Sequence, residues 1–137
     1  MPYNFALKFG GGSNDYISIP SNVIFDQSTE GTFEFWFKPN SITEQVLISK
    51  GTSSPTLSYV LGLNASGKLF MGIGNYIAMN SDGVSLDANK WNHVAVTWNK
   101  TGNNYQICFY KNGKLNGTPV TIFKIPVTAP VGTFTTT

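Results

Sequence analysis

Trp91-Asn-His-Val-Ala-Val-Thr-Trp98, then Thr101-Gly-Asn-Asn104, Tyr105-Gln-Ile-Cys-Phe-Tyr110 and Asn112-Gly113, is the stretch that decides the fold class. Its apolar residues recur at every second position: Val94, Val96 and Trp98 in the first run, Tyr105, Ile107 and Phe109 in the second. A period of two is that of a strand with one buried face; a helix would show 3.6. Asn112-Gly113 is the dipeptide that accepts the positive φ angles of a two-residue hairpin. The Thr101 to Asn104 link joins the two runs, so this stretch reads as antiparallel strands in series.

The same alternation extends outward in both directions. Phe33, Phe35 and Phe37 share one face of a run, and Glu34, Trp36 and Lys38 share the other. Leu57, Tyr59, Leu61 and Leu63 line up, as do Leu69, Met71 and Ile73. Ala65-Ser-Gly-Lys68 joins two runs. Gly10-Gly-Gly-Ser-Asn14 separates an opening strand, Tyr3 to Phe9, from the next. Pro20, Pro39, Pro55 and Pro119 fall at run ends, where a missing N–H does little harm. No window carries a capped helical stripe. Evenly spaced strands with turn signals predict an all-β, two-sheet antiparallel sandwich. At 137 residues the chain is long enough for one such domain and its core.

Charge and apolar-run length exclude two classes of partner. All nine basic residues are lysines, spread singly from Lys8 to Lys124, and they read as solvated edge and loop charges. Nucleic-acid binding calls for a clustered basic stripe, so no nucleic acid is expected. No apolar run is long enough to span a bilayer as a helix, so no membrane insertion is expected. The single cysteine, Cys108, leaves no internal disulfide, and the fold does not depend on an oxidising compartment. The first residues show neither a basic n-region nor an apolar h-region.

Three stretches carry a family resemblance. The first is Ala6-Leu-Lys-Phe-Gly10 with Asp15-Tyr-Ile-Ser-Ile-Pro20. The second is Gly31-Thr-Phe-Glu-Phe-Trp-Phe-Lys-Pro39. The third and most specific is Trp91-Asn-His-Val-Ala-Val-Thr-Trp98 followed by Tyr110-Lys-Asn-Gly113. In this order and spacing the chain resembles the laminin-G-like, pentraxin-like jelly rolls of the concanavalin-A-like lectin/glucanase superfamily. The resemblance covers the chain through about Phe123. It implies a jelly-roll sandwich over residues 1–124, with 125–137 as an extended tail or the start of a linker. Such modules usually close with a Gly-x-Ile-Asp-Glu-like strand beside the N-terminal one, and this sequence ends without it. The expectation is an open sheet edge, to be covered by neighbouring protein subunits.

The resemblance implies a non-catalytic binding or adhesion module, directed at a glycan or a cell-surface protein and part of a larger surface assembly. Its location is then extracellular or on the cell surface. The alternative is a structural or receptor-binding component of a virion, such as a phage capsid fibre, decoration or tail protein. That role agrees with a strand beginning almost at Met1 and with an unclosed sandwich.

Chemistry-bearing residues are sparse. The glucanase relatives carry Glu-x-Asp-x-x-Glu on one strand, and no such run occurs here. Glu30 and Glu34 are evenly spaced, but Glu30 precedes what reads as a turn at Gly31. His93 is the only histidine. Without a neighbouring nucleophile or a second ligand it reads as a packed side chain tied to an adjacent strand. Cys108 reads as a buried, inert thiol. Calcium, which sandwiches of this kind often hold near loops, would take six to eight oxygens. Asn14 and Asp15 after the glycine loop are the first candidate ligands, and Asp82 in Asn80-Ser-Asp-Gly83 is the second. All three also suit ordinary turns. For stacking on a sugar, Tyr76 in Gly74-Asn-Tyr-Ile-Ala is the candidate. Trp36 and Trp91 lie in strand-like runs and are expected to pack. The sequons at Asn64, Asn99 and Asn116 carry little weight in an Asn-rich chain.

Overall fold

In a computed structural model, residues 5–12, 14–26, 29–51, 58–74 and 76–122 are described, the side chain of Tyr76 excepted. The architecture is two antiparallel sheets. One contains β1 (Glu30–Phe37), β6 (Asn92–Thr101) and β7 (Asn104–Lys111), with the short β8 (Lys114–Leu115) and β9 (Val120–Ile122) both pairing with β7. The other is the meander β2 (Gln45–Lys50), β3 (Tyr59–Leu63), β4 (Leu69–Ile73) and β5 (Tyr76–Met79). One 3-10 turn, Val23–Phe25, is the only helical element among the described residues.

The alternation read from the sequence is the alternation of burial. Val94, Val96, Ile107 and Phe109 from the first sheet meet Leu61, Leu63, Leu69 and Met71 from the second in one core. Phe33, Phe35 and Phe37 pack against it half-buried. The Phe33 ring bridges the layers, 4.9 Å from Tyr59 and 5.1 Å from Trp98. These separations suit offset or edge contacts, which add to the area each ring buries. Asn112 and Gly113 have φ of 52° and 76°, the two positive angles of a type I′ hairpin, and they join β7 to β8. Asn112 also ties the start of β6, where its side-chain oxygen accepts from the His93 amide at 2.9 Å.

Several expectations are corrected. Residues 5–10 and 15–22 belong to no strand. Gly31 is no turn. It lies inside β1 opposite Trp98, and a Cβ there would fall 2.1 Å from the indole ring. Glycine is required so that the ring can lie across the strand. Gly62 on β3 repeats the device with Phe70, whose ring would be 2.6 Å from an added Cβ. Lys50 and Lys111 are not free surface charges, since they pair with Asp26 and Asp87. The tail, 125–137, lies outside the described residues.

Candidate functional site

Every second residue of the five-stranded sheet points away from the core, and this outer face gathers the side chains with recognition chemistry. The strand register sets them in rows. Glu30, Asn99, Gln106 and Thr121 form one row across four strands. Thr32, Thr97 and Cys108 form the next. Glu34, Ala95, Tyr110 and Leu115 follow, and Trp36 beside His93 ends the series. Glu30, Thr32, Thr97, Asn99, Gln106 and Cys108 line an open groove of about 430 Å³.

At the other end of the face Trp36 is 64 % exposed. It is the penultimate residue of β1 and points outward because its neighbours Phe35 and Phe37 take the sheet's core side. His93 meets its ring edge-on, with centroids 5.3 Å apart. The His93 Nε2 in turn lies 3.0 Å from Glu34 Oε1. Trp36 is thus held in place along one edge while its surface stays open to solvent. The two tryptophans expected to pack do not: Trp91 is half exposed as well. Cys108 is half-buried and belongs to the groove. His93 is tied to a neighbouring strand, as its setting in the sequence indicated, and that strand is β1.

The loop residues lie elsewhere. Asp15 closes its own turn, accepting from the Gly12 amide at 3.1 Å and donating its amide to the Gly12 carbonyl at 3.0 Å. Asn14 is exposed beside it. Asp82 accepts from the Thr118 amide at 3.0 Å and from the Thr118 hydroxyl at 2.5 Å. These bonds, the hydroxyl first, hold its carboxyl below the usual carboxylate range, and Lys68 adds to the effect. Tyr76 pairs with Ile73 in the four-stranded sheet, and its side chain lies outside the described residues.

One observation bears on a cation near Asp82. The Asn80 amide is fully buried with neither atom bonded to a protein group. Its oxygen and an Asp82 oxygen both crowd Gly117, where a Cβ would lie 2.5 and 2.6 Å from them. The donor set falls short of a calcium shell. The Asp82 oxygens are already bonded to Thr118, and the Lys68 ammonium sits on the Ser81 carbonyl. Among the described residues no three His, Cys, Asp or Glu side chains come together. Asn116 is buried, exchanging hydrogen bonds with the Val84 backbone at 2.8 and 3.0 Å, and Asn64 closes its own turn onto Ser66 and Lys68.

No curated protein and no solved structure matches the chain. A laminin-G-type family model, described as Concanavalin A-like lectin/glucanases superfamily, matches residues 10–133. That span takes in both sheets and the whole of the outer face, and the chain belongs to the concanavalin A-like lectin/glucanases superfamily.

Proposed function

We propose that this chain is a non-catalytic carbohydrate-binding module that takes a glycan on the outer face of its five-stranded sheet. The observation that carries this is Trp36: a large ring, open to solvent, braced by His93 and on the same outer face as a groove of hydroxyl and amide side chains, with the Glu34 row between them. An aromatic surface beside a few placed polar groups is what a sugar site needs, apolar contact for the ring faces and hydrogen bonds for the hydroxyls. Membership of a lectin and glucanase superfamily supports the ligand class. Glu30 and Glu34 support binding without hydrolysis. No Asp stands between them as in the glucanase run, the intervening outward residue being Thr32, and Glu34 is bonded to His93. The setting is extracellular or on a cell surface, with a free glycan or a glycosylated surface protein as partner.

Titration of the chain with a panel of oligosaccharides, alongside Trp36→Ala, tests this. Loss of affinity by about tenfold or more is expected in the variant, with a stability within about 0.5 kcal/mol of the parent because the side chain is exposed. Equal binding by the variant would remove the site from this face.

A second reading, assembly with neighbouring subunits, rests on a different feature. Phe5, Leu7, Tyr16, Ile17, Ile19, Val23 and Ile24 are all exposed in the segment before β1. A run of apolar side chains left in water marks an interaction surface, and a virion surface protein is one setting for it.

A further inference from the structure

We infer that the glycan taken at this face is uncharged, and that Glu30 is the residue that turns anionic glycans away. This rests on the glycan reading above and narrows it. The groove is lined by neutral donors and acceptors, Thr32, Thr97, Asn99 and Gln106, and by one charged group, Glu30. Glu30 makes no ion pair among the described residues. The second carboxylate of the face, Glu34, is bonded to His93. No lysine lines the groove. Four lysines are engaged elsewhere: Lys50 on Asp26, Lys111 on Asp87, Lys68 on Ser81, and Lys100 over the Tyr105 ring at 5.7 Å. Lys38 lies one residue beyond the end of β1, past Trp36 and at the far end from Glu30.

A sulfate or carboxylate seated here would meet a like charge and no counter-charge. An uncharged sugar would meet only groups that hydrogen-bond. Discrimination of this kind comes from a repulsive element built into the site. From Glu30 to Trp36 the face runs about 20 Å along β1, so the ligand is a chain of several sugar units lying along the strands.

The test uses Cys108 as reporter. It is the only cysteine of the chain and it lines the groove, so a bound glycan slows its reaction with a thiol reagent. The probes are neutral linear hexasaccharides of gluco-, manno-, galacto- and xylo-configuration, each with its O-sulfated counterpart. The expected result is protection by at least one neutral probe, with its sulfated form about fivefold weaker or worse. Glu30→Gln should narrow that gap. Equal or tighter binding of the sulfated forms, or a gap unchanged in Glu30→Gln, overturns the charge inference and leaves the glycan reading standing. If no probe of either kind protects Cys108, and Trp36→Ala changes nothing, the glycan reading itself fails.

Discussion

Trp98 lying over Gly31 and Phe70 over Gly62 are two instances of one solution: a glycine in mid-strand gives an aromatic ring on the next strand a flat place to rest. The strand loses a side chain, and the ring seals the gap. Gly31→Val therefore drives a branched side chain into the Trp98 ring and should destabilise the fold by about 1–3 kcal/mol, as overpacking does. Urea unfolding measures it, and an unchanged midpoint would mean that the ring does not lie there. In the sequence Gly31 looks like a strand breaker, because its reason sits on a strand far along the chain. The same limit hid the character of Trp36 and Cys108. Alternation says correctly that each points away from its neighbours, but it does not say which face of a two-sheet molecule is covered. The rows that bring Glu30, Asn99, Gln106 and Thr121 together needed the register.

Among the elements, the runs 33–37, 69–73, 94–98 and 105–109 and the Asn112-Gly113 turn were legible because each depends on local period and turn chemistry alone. What was not legible is how the loop after β5 is fastened. Asp82 grips Thr118, and Asn116 exchanges two hydrogen bonds with Val84, so residues 82–84 are clasped to the bend between β8 and β9. In sequence Asn116-Gly-Thr118 looks like a glycosylation signal and Asp82 like a metal ligand or a turn residue. The clasp is pH-dependent. The folded carboxyl of Asp82 titrates below the ordinary 3.8, so its contribution is complete above that value and is lost as pH falls through the lowered folded value. Asp87, held down by its hydrogen bond to Lys111 and that residue's charge, acts in the same direction. The protection of the Thr118 amide, its exchange rate set against that of an unstructured amide at the same pH, should therefore fall on acidification below pH 3.8, and in Asp82→Asn it should be low already at neutral pH. Protection that does not change with acid in the parent protein would show that the clasp does not govern this amide.

For the molecule as a whole, two surfaces differ from ordinary protein surface: the polar outer face with its tryptophan, and the apolar segment ahead of β1. The second makes a prediction about size. Light scattering of the purified chain is expected to give twice the chain mass or more, and Ile17→Lys with Ile19→Lys should return it to the monomer. A monomeric parent would remove assembly through this segment. The all-β class and the sandwich were plain from the sequence because they rest on composition and period across the chain. The position of the site was not, since Tyr76 and the loop carboxylates stand out locally while the outer face exists only once the sheet is assembled.

The order of that assembly follows from the strand pairing. β1 has its partner in β6, with the entire four-stranded meander lying between them in sequence. Each strand of the meander finds its mate in the next hairpin, so that layer can form while the chain is still short. β1 must wait, unpaired on this side, until β6 has been made and brought back across a long loop whose closure carries an entropic cost. The groove spans the β1–β6 seam, with Glu30 and Thr32 on one side and Thr97 and Asn99 on the other. It is consequently among the last features of the nascent protein to come into being, and a chain able to hold a ligand there is one whose longest-range pairing is already complete.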